Sequence, residues 1–166
     1  MNDFNVKFGI IGIDHRHVYT QAKFLVELGA ELAGWYTEGS PNTLSGFTKR
    51  FPKAKRFTDP RSLLEDPDIR VILTSAVPND RAKISISVMK HGKDVMSDKP
   101  GCLSFGDLEE LRQTVQQTGR IWSVDFSERF EVPAVTLASQ LVSDGAIGDV
   151  IHTLGLGPHR LNPESR

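Results

Sequence analysis

The sequence predicts an α/β fold: a doubly wound, mostly parallel sheet with helices on both faces. Three observations point to it. Short apolar runs alternate with segments of helical period along most of the 166 residues. The first apolar run ends in a glycine turn and leads into a helical pattern. Glycine or proline then marks nearly every later boundary. Right-handed crossovers turn such an alternation into a doubly wound sheet.

Each element has its own signal. "VKFGIIGI" (6–13) is almost continuously apolar, as a strand buried on both faces should be. Asp14 is placed to cap the next helix, where Val18, Ala22, Leu25 and Leu28 share a face before Gly29 stops it. "ELAGWY" (31–36) reads as the second strand. Ser40 and Pro41 suit the cap and first turn of a helix with Leu44, Phe47 and Phe51 on one side. A short "KRF" strand follows, and Asp59 and Pro60 open a brief helix that Pro67 closes. "IRVILTSAV" (69–77) is the clearest strand; Ala82, Ile86 and Met89 line the helix after it, which Gly92 ends. "DVMS" (94–97) is the next strand. Ser104 and Asp107 have capping-box spacing, and Leu103 and Leu108 that of a hydrophobic staple. Leu108, Leu111 and Val115 line that helix, and Gly119 stops it. "RIWSVDF" (120–126), a helix through 132–143 and a strand from about 149 complete the order.

Composition narrows the function classes. Hydrophobic residues make up 39% and charged residues 25%, the mix of a soluble globular chain. A formal net charge of −1 gives no general attraction to nucleic acid or anionic membrane, and neither is expected as a partner. The run Lys49, Arg50, Lys53, Lys55 and Arg56 reads as a solvated helix end and loop. Cys102 is the only cysteine, so no intrachain disulfide or thiolate zinc cluster can form. "MNDFNVKF" lacks the pattern of a signal peptide, and no apolar run has membrane-spanning length; a cytoplasmic location is expected.

Ligands of doubly wound folds bind beyond the carboxyl ends of the strands, here 12–17, 37–38, 76–80, 98–101 and 126–130. In the first of these, "GIDHRH" holds Gly12, Ile13, Asp14, His15, Arg16 and His17. A helix N-terminus there favours an anion such as a pyrophosphate. Aligned on Gly12, the usual G-x-G-x-x-G has Asp14 at its second glycine and His17 at its third. Asp14 adds bulk and negative charge, which Arg16 or a protonated His15 or His17 could offset. Thr37 and Glu38 stand where a ribose-binding acid is expected. Lys99, in "SDKPGC", follows a strand, and Pro100 fixes the turn after it; a lysine so placed can exchange a proton with a substrate hydroxyl.

Taken together, "FGIIG", "VPND" (77–80), "HGKDVMSDKP" (91–100), "DFSERF" (125–130) and "GAIGDV" (145–150) resemble the Gfo/Idh/MocA oxidoreductases in order and spacing. Asp98 stands where that family usually has Glu in its E-K-P motif, while Lys99 and Pro100 are retained. Ala82 replaces the family's histidine after Pro-Asn. The resemblance implies a Rossmann domain over 1–126 and, over 127–166, a connecting helix and the first strand of a largely missing second α/β domain. It also implies NAD or NADP as cofactor and a sugar, polyol or related hydroxy compound as substrate. Lys99 becomes the expected catalytic residue, with Val77, Pro78, Asn79, Asp98 and Pro100 beside the cofactor. The chain reaches Arg166 just after that first strand, so a truncated chain, inactive alone and able to form homo-oligomers, is expected.

Two other readings carry different chemistry. One is a non-catalytic Rossmann-type binding module, favoured by the altered glycine loop. The other is a metal-dependent hydrolase using "DHRH", since imidazoles two apart at a strand end can face one ion. Only His91, His152 and His159 remain as further histidine ligands, so no metal is expected.

Overall fold

A computed structural model of the chain describes residues 6–127, 129 and 132–157. Its elements are β1 (Lys7–Ile11), α1 (His17–Glu27), β2 (Glu31–Tyr36), α2 (Leu44–Arg50), α3 (Arg61–Leu64), β3 (Ile69–Thr74), α4 (Pro78–Lys90), β4 (Asp94–Asp98), α5 (Phe105–Thr118), β5 (Trp122–Asp125) and α6 (Pro133–Ser143). These five strands pair in parallel in the order β2-β1-β3-β4-β5. The chain moves outward from β1 to β2 and then crosses to β3 on the other side. This reversal opens a crevice beyond the ends of β1 and β3, where a doubly wound fold takes its ligand.

Alternation along the strands builds one core on each face. Phe8, Ile10 and Leu73 join Val18, Ala22, Trp35 and Phe47 under α1 and α2. Ile11 and Ile72 point the other way, to Leu63, Ala82, Ile86, Met89, Val95 and Leu111 beneath α3, α4 and α5. The stripe Ala82, Ile86 and Met89 is buried as its spacing predicts.

Several boundaries differ from the expectation. The cap of α1 is Arg16, with no side chain bonding the helix head, so Asp14 is not its cap. The second helix begins at Leu44 behind Thr43, and Ser40 and Pro41 lie outside it. "KRF" is reduced to one parallel bridge, Arg56 to Trp35, flanked by the bonds Trp35 N–H to Lys55 O and Phe57 N–H to Trp35 O. It sits beside β2 at the edge of the sheet. Ser104 Oγ accepts the Asp107 amide as expected, but Leu103 and Leu108 are exposed and form no buried staple. The strand expected from about 149 is absent among the described residues: 149–157 form no regular element.

The compact unit ending at Asp125 holds the whole sheet; a second begins at Phe126 and contains α6, which buries none of its residues.

Candidate functional site

The turn after β1 is fixed by its neighbours on both sides. Gly12 N–H bonds Tyr36 O on β2, Ser75 N–H bonds Gly12 O, and His15 N–H bonds Ser75 O beyond the end of β3. Gly12 has a φ of +81°, and a Cβ there would lie 2.4 Å from that of Ala76. Both facts exclude a side chain at this position. The hydroxyl of buried Thr43 donates to Ile13 O, and Thr37 Oγ1 accepts the Ile13 amide at 3.5 Å. Thr37 therefore faces the turn from within the fold, while Glu38 is exposed.

By tying His15 to the end of β3, this turn carries both histidine rings across to β4. There Asp98 is fully buried. His17 Nδ1 lies 2.9 Å from Asp98 Oδ1, and His15 Nδ1 lies 3.1 Å from Oδ2. The His17 pair has hydrogen-bond geometry; the His15 pair does not, and His15 Nδ1 is buried without a partner. The two rings stand edge to face, 4.1 Å between centroids. Burial first, and then the neighbouring His17, hold His15 below the ordinary histidine range, with Asp98 opposing.

Arg81 closes the other side of Asp98. Its Nη2 is 3.2 Å from Oδ2, its Nε donates to Ala76 O at 2.7 Å, and Nη1 donates to Lys99 O. The Lys99 amide donates to Asp98 Oδ1 at 2.8 Å. The main chain of Lys99 is thus anchored at both its amide and its carbonyl. Below this layer, Gln21 donates to Asp125 and accepts from Ser75.

These contacts rearrange the expected charge balance. The two histidines face Asp98, not Asp14. The cation acting on Asp14 is Arg81, while burial, its largest influence, pushes the Asp14 carboxyl above the ordinary range. Arg16 is exposed at the head of α1. Val77, Pro78, Asn79 and Pro100 are exposed around the same sheet edge, and Pro78 starts α4.

A dinucleotide fits this edge on two observations. The head of α1 has no side-chain cap and no acid in its first turn, so its dipole favours an anion there, while the Val18 and Tyr19 amides bond the carbonyls of His15 and Arg16. Arg81 acts on Asp14 and partly offsets the negative charge that Asp14 sets beside a phosphate. Gly12, Ile13 and Arg16 would border the phosphates, and Glu38 a ribose.

Arg81, Gln21, Ser75 and Asp125 were missed in the sequence. Arg81 had a readable sign: it precedes Ala82 in the buried stripe of α4, a place where an arginine needs buried acceptors. Glu128 and Phe130 of "DFSERF", and His159, lie outside the described residues.

Comparison with known proteins agrees with the fold. Residues 6–126 match the model of the Gfo/Idh/MocA oxidoreductase family, NAD-binding Rossmann fold. The chain is 30% identical over 119 residues to levoglucosan dehydrogenase of Pseudarthrobacter phenanthrenivorans, covering 71% of itself and 30% of that protein. Against scyllo-inositol 2-dehydrogenase (NAD(+)) of Bacillus subtilis it is 31% identical over 97 residues, covering 58% of itself and 28% of that enzyme. A solved oxidoreductase structure from Erwinia carotovora atroseptica superposes with a TM-score of 0.93 at 34% identity, over 98% of this chain and 48% of that one. The chain thus spans about a third of the length of these curated relatives.

Proposed function

The chain belongs to the Gfo/Idh/MocA oxidoreductases, and we propose that it serves NAD(P)-dependent hydride transfer at a hydroxyl-bearing carbon of a sugar or polyol. Bound nicotinamide supplies the hydride acceptor. Lys99 takes the proton of the substrate hydroxyl as its carbon gives up hydride, and returns it in the reverse direction. Asp98 and Arg81 hold the Lys99 main chain from both sides, which limits where its amine can reach. Pro78, Asn79 and Pro100 border the nicotinamide end, and the uncapped head of α1 receives the pyrophosphate.

The observation that carries this reading is the position of Lys99 directly after β4, at the sheet edge that holds the α1 head. The sugar and polyol assignment is supported by the names of the matched relatives, levoglucosan dehydrogenase and scyllo-inositol 2-dehydrogenase. The test is a panel of anhydrosugars, inositols and sugars with NAD+ or NADP+, followed by nicotinamide absorbance. Turnover is expected, from a longer form that also carries a substrate domain, with at least one vicinal-hydroxyl substrate, and Lys99→Ala in that form should lower it by about two to four orders of magnitude with cofactor affinity retained. A Lys99→Ala enzyme of near-normal rate would overturn the assignment.

A further inference from the structure

We propose that His15, His17 and Asp98 form a binding site for a divalent transition-metal ion of the zinc class. The expectation of no metal rests on the shortage of further histidines; the fold supplies a carboxylate instead. One imidazole nitrogen from each histidine and a carboxylate oxygen of Asp98 lie within 4.8 Å of one another. His17 Nδ1 is 2.9 Å from Oδ1, and His15 Nδ1 is 3.1 Å from Oδ2. Ligand atoms bonded to one Zn2+ at about 2.0–2.2 Å are separated by about 3.0–3.5 Å, so a small closure brings all three to bonding distance.

Three features distinguish this trio from a chance cluster. First, His15 Nδ1 is buried and unpartnered, a nitrogen donor without an acceptor or a proton donor to satisfy it. Second, the carboxylate is already oriented: Arg81 bonds Oδ2 and the Lys99 amide bonds Oδ1, and such bonds steady metal-ligating carboxylates. Third, two imidazoles and one carboxylate are a ligand set for Zn2+ and Fe2+, with coordination positions left for water or substrate. The Arg81 charge opposes a cation here, and Asp98 and Asp14 both counter it. The inference does not rest on dinucleotide binding.

Its test uses the whole chain, stripped with a chelator and titrated with Zn2+ by calorimetry and with Co2+ by visible absorption, without nucleotide. One equivalent should bind, with Co2+ giving the d–d bands of nitrogen and oxygen ligation. His15→Ala and His17→Ala should each weaken Zn2+ binding by more than about a hundredfold, beyond the loss typical of an outer-shell partner. Folding of each variant is checked by circular dichroism. Should His17→Ala fail to fold, the half-exposed His15 supplies the deciding variant. Absence of Zn2+ binding, or binding unaffected by His15→Ala and so due to other histidines, would overturn the site.

Discussion

Asp14 and the two histidines that follow it decide how the altered phosphate turn works. The sequence invites a balance within the turn, with histidine or Arg16 neutralising Asp14. The folded chain instead sends the histidines to Asp98 and leaves Asp14 half-buried under the field of Arg81. Burial raises the Asp14 pKa, so the folded chain holds this proton more tightly than the unfolded one. The ionised group therefore costs stability at neutral pH, and the cost disappears below 3.8, the ordinary aspartate value. Asp14→Asn should raise the melting temperature at neutral pH and leave it unchanged below 3.8. The same variant should tighten NADH binding by about two- to fivefold, the scale of one charge at a helix N-terminus. Weaker binding would mean that Asp14 organises the turn.

Among the elements, α4 and β4 are joined through one buried ion pair, Arg81 with Asp98, both almost fully hidden. Desolvation makes such a pair a poor source of net stability, yet removing one partner strands the other. Arg81→Met should destabilise the fold by about 3–5 kcal/mol in urea denaturation, and a loss below about 1 kcal/mol would show that Asp98 finds another partner. Strand and helix identities were largely legible in the sequence because burial follows period, and β2 keeps its expected bounds. Starts were less legible. Asp14 and Ser40 look like caps, but the turns run on to Arg16 and Thr43, with His15 N–H bonded to Ser75 O and the Thr43 hydroxyl to Ile13 O. Over 149–157 the expected strand is not formed among the described residues: Ile151, Leu154 and Leu156 are exposed and pair with no neighbouring strand. The partnership of Asp98 with His15 and His17, 81 positions from His17 in sequence, was not readable because it depends on the crossover over β3.

At the scale of the molecule, the sheet order with the edge bridge at Arg56 gives the switch point of a dinucleotide fold. Two cores hold the sheet rigid, and the groups with chemistry gather at one edge of it: the head of α1, Asp98, Lys99 and the start of α4. Family membership and this placement agree, and both rest on the unit ending at Asp125. Among the described residues no helix is long and apolar enough to cross a membrane. The central claim is that this edge still holds a dinucleotide despite Asp14 and His17 replacing glycines. Equilibrium titration of the chain with NADH and NADPH, by calorimetry, tests it most directly. The account predicts saturable binding of at least one, with a dissociation constant below about 1 mM; no heat of binding from either at that concentration would contradict it.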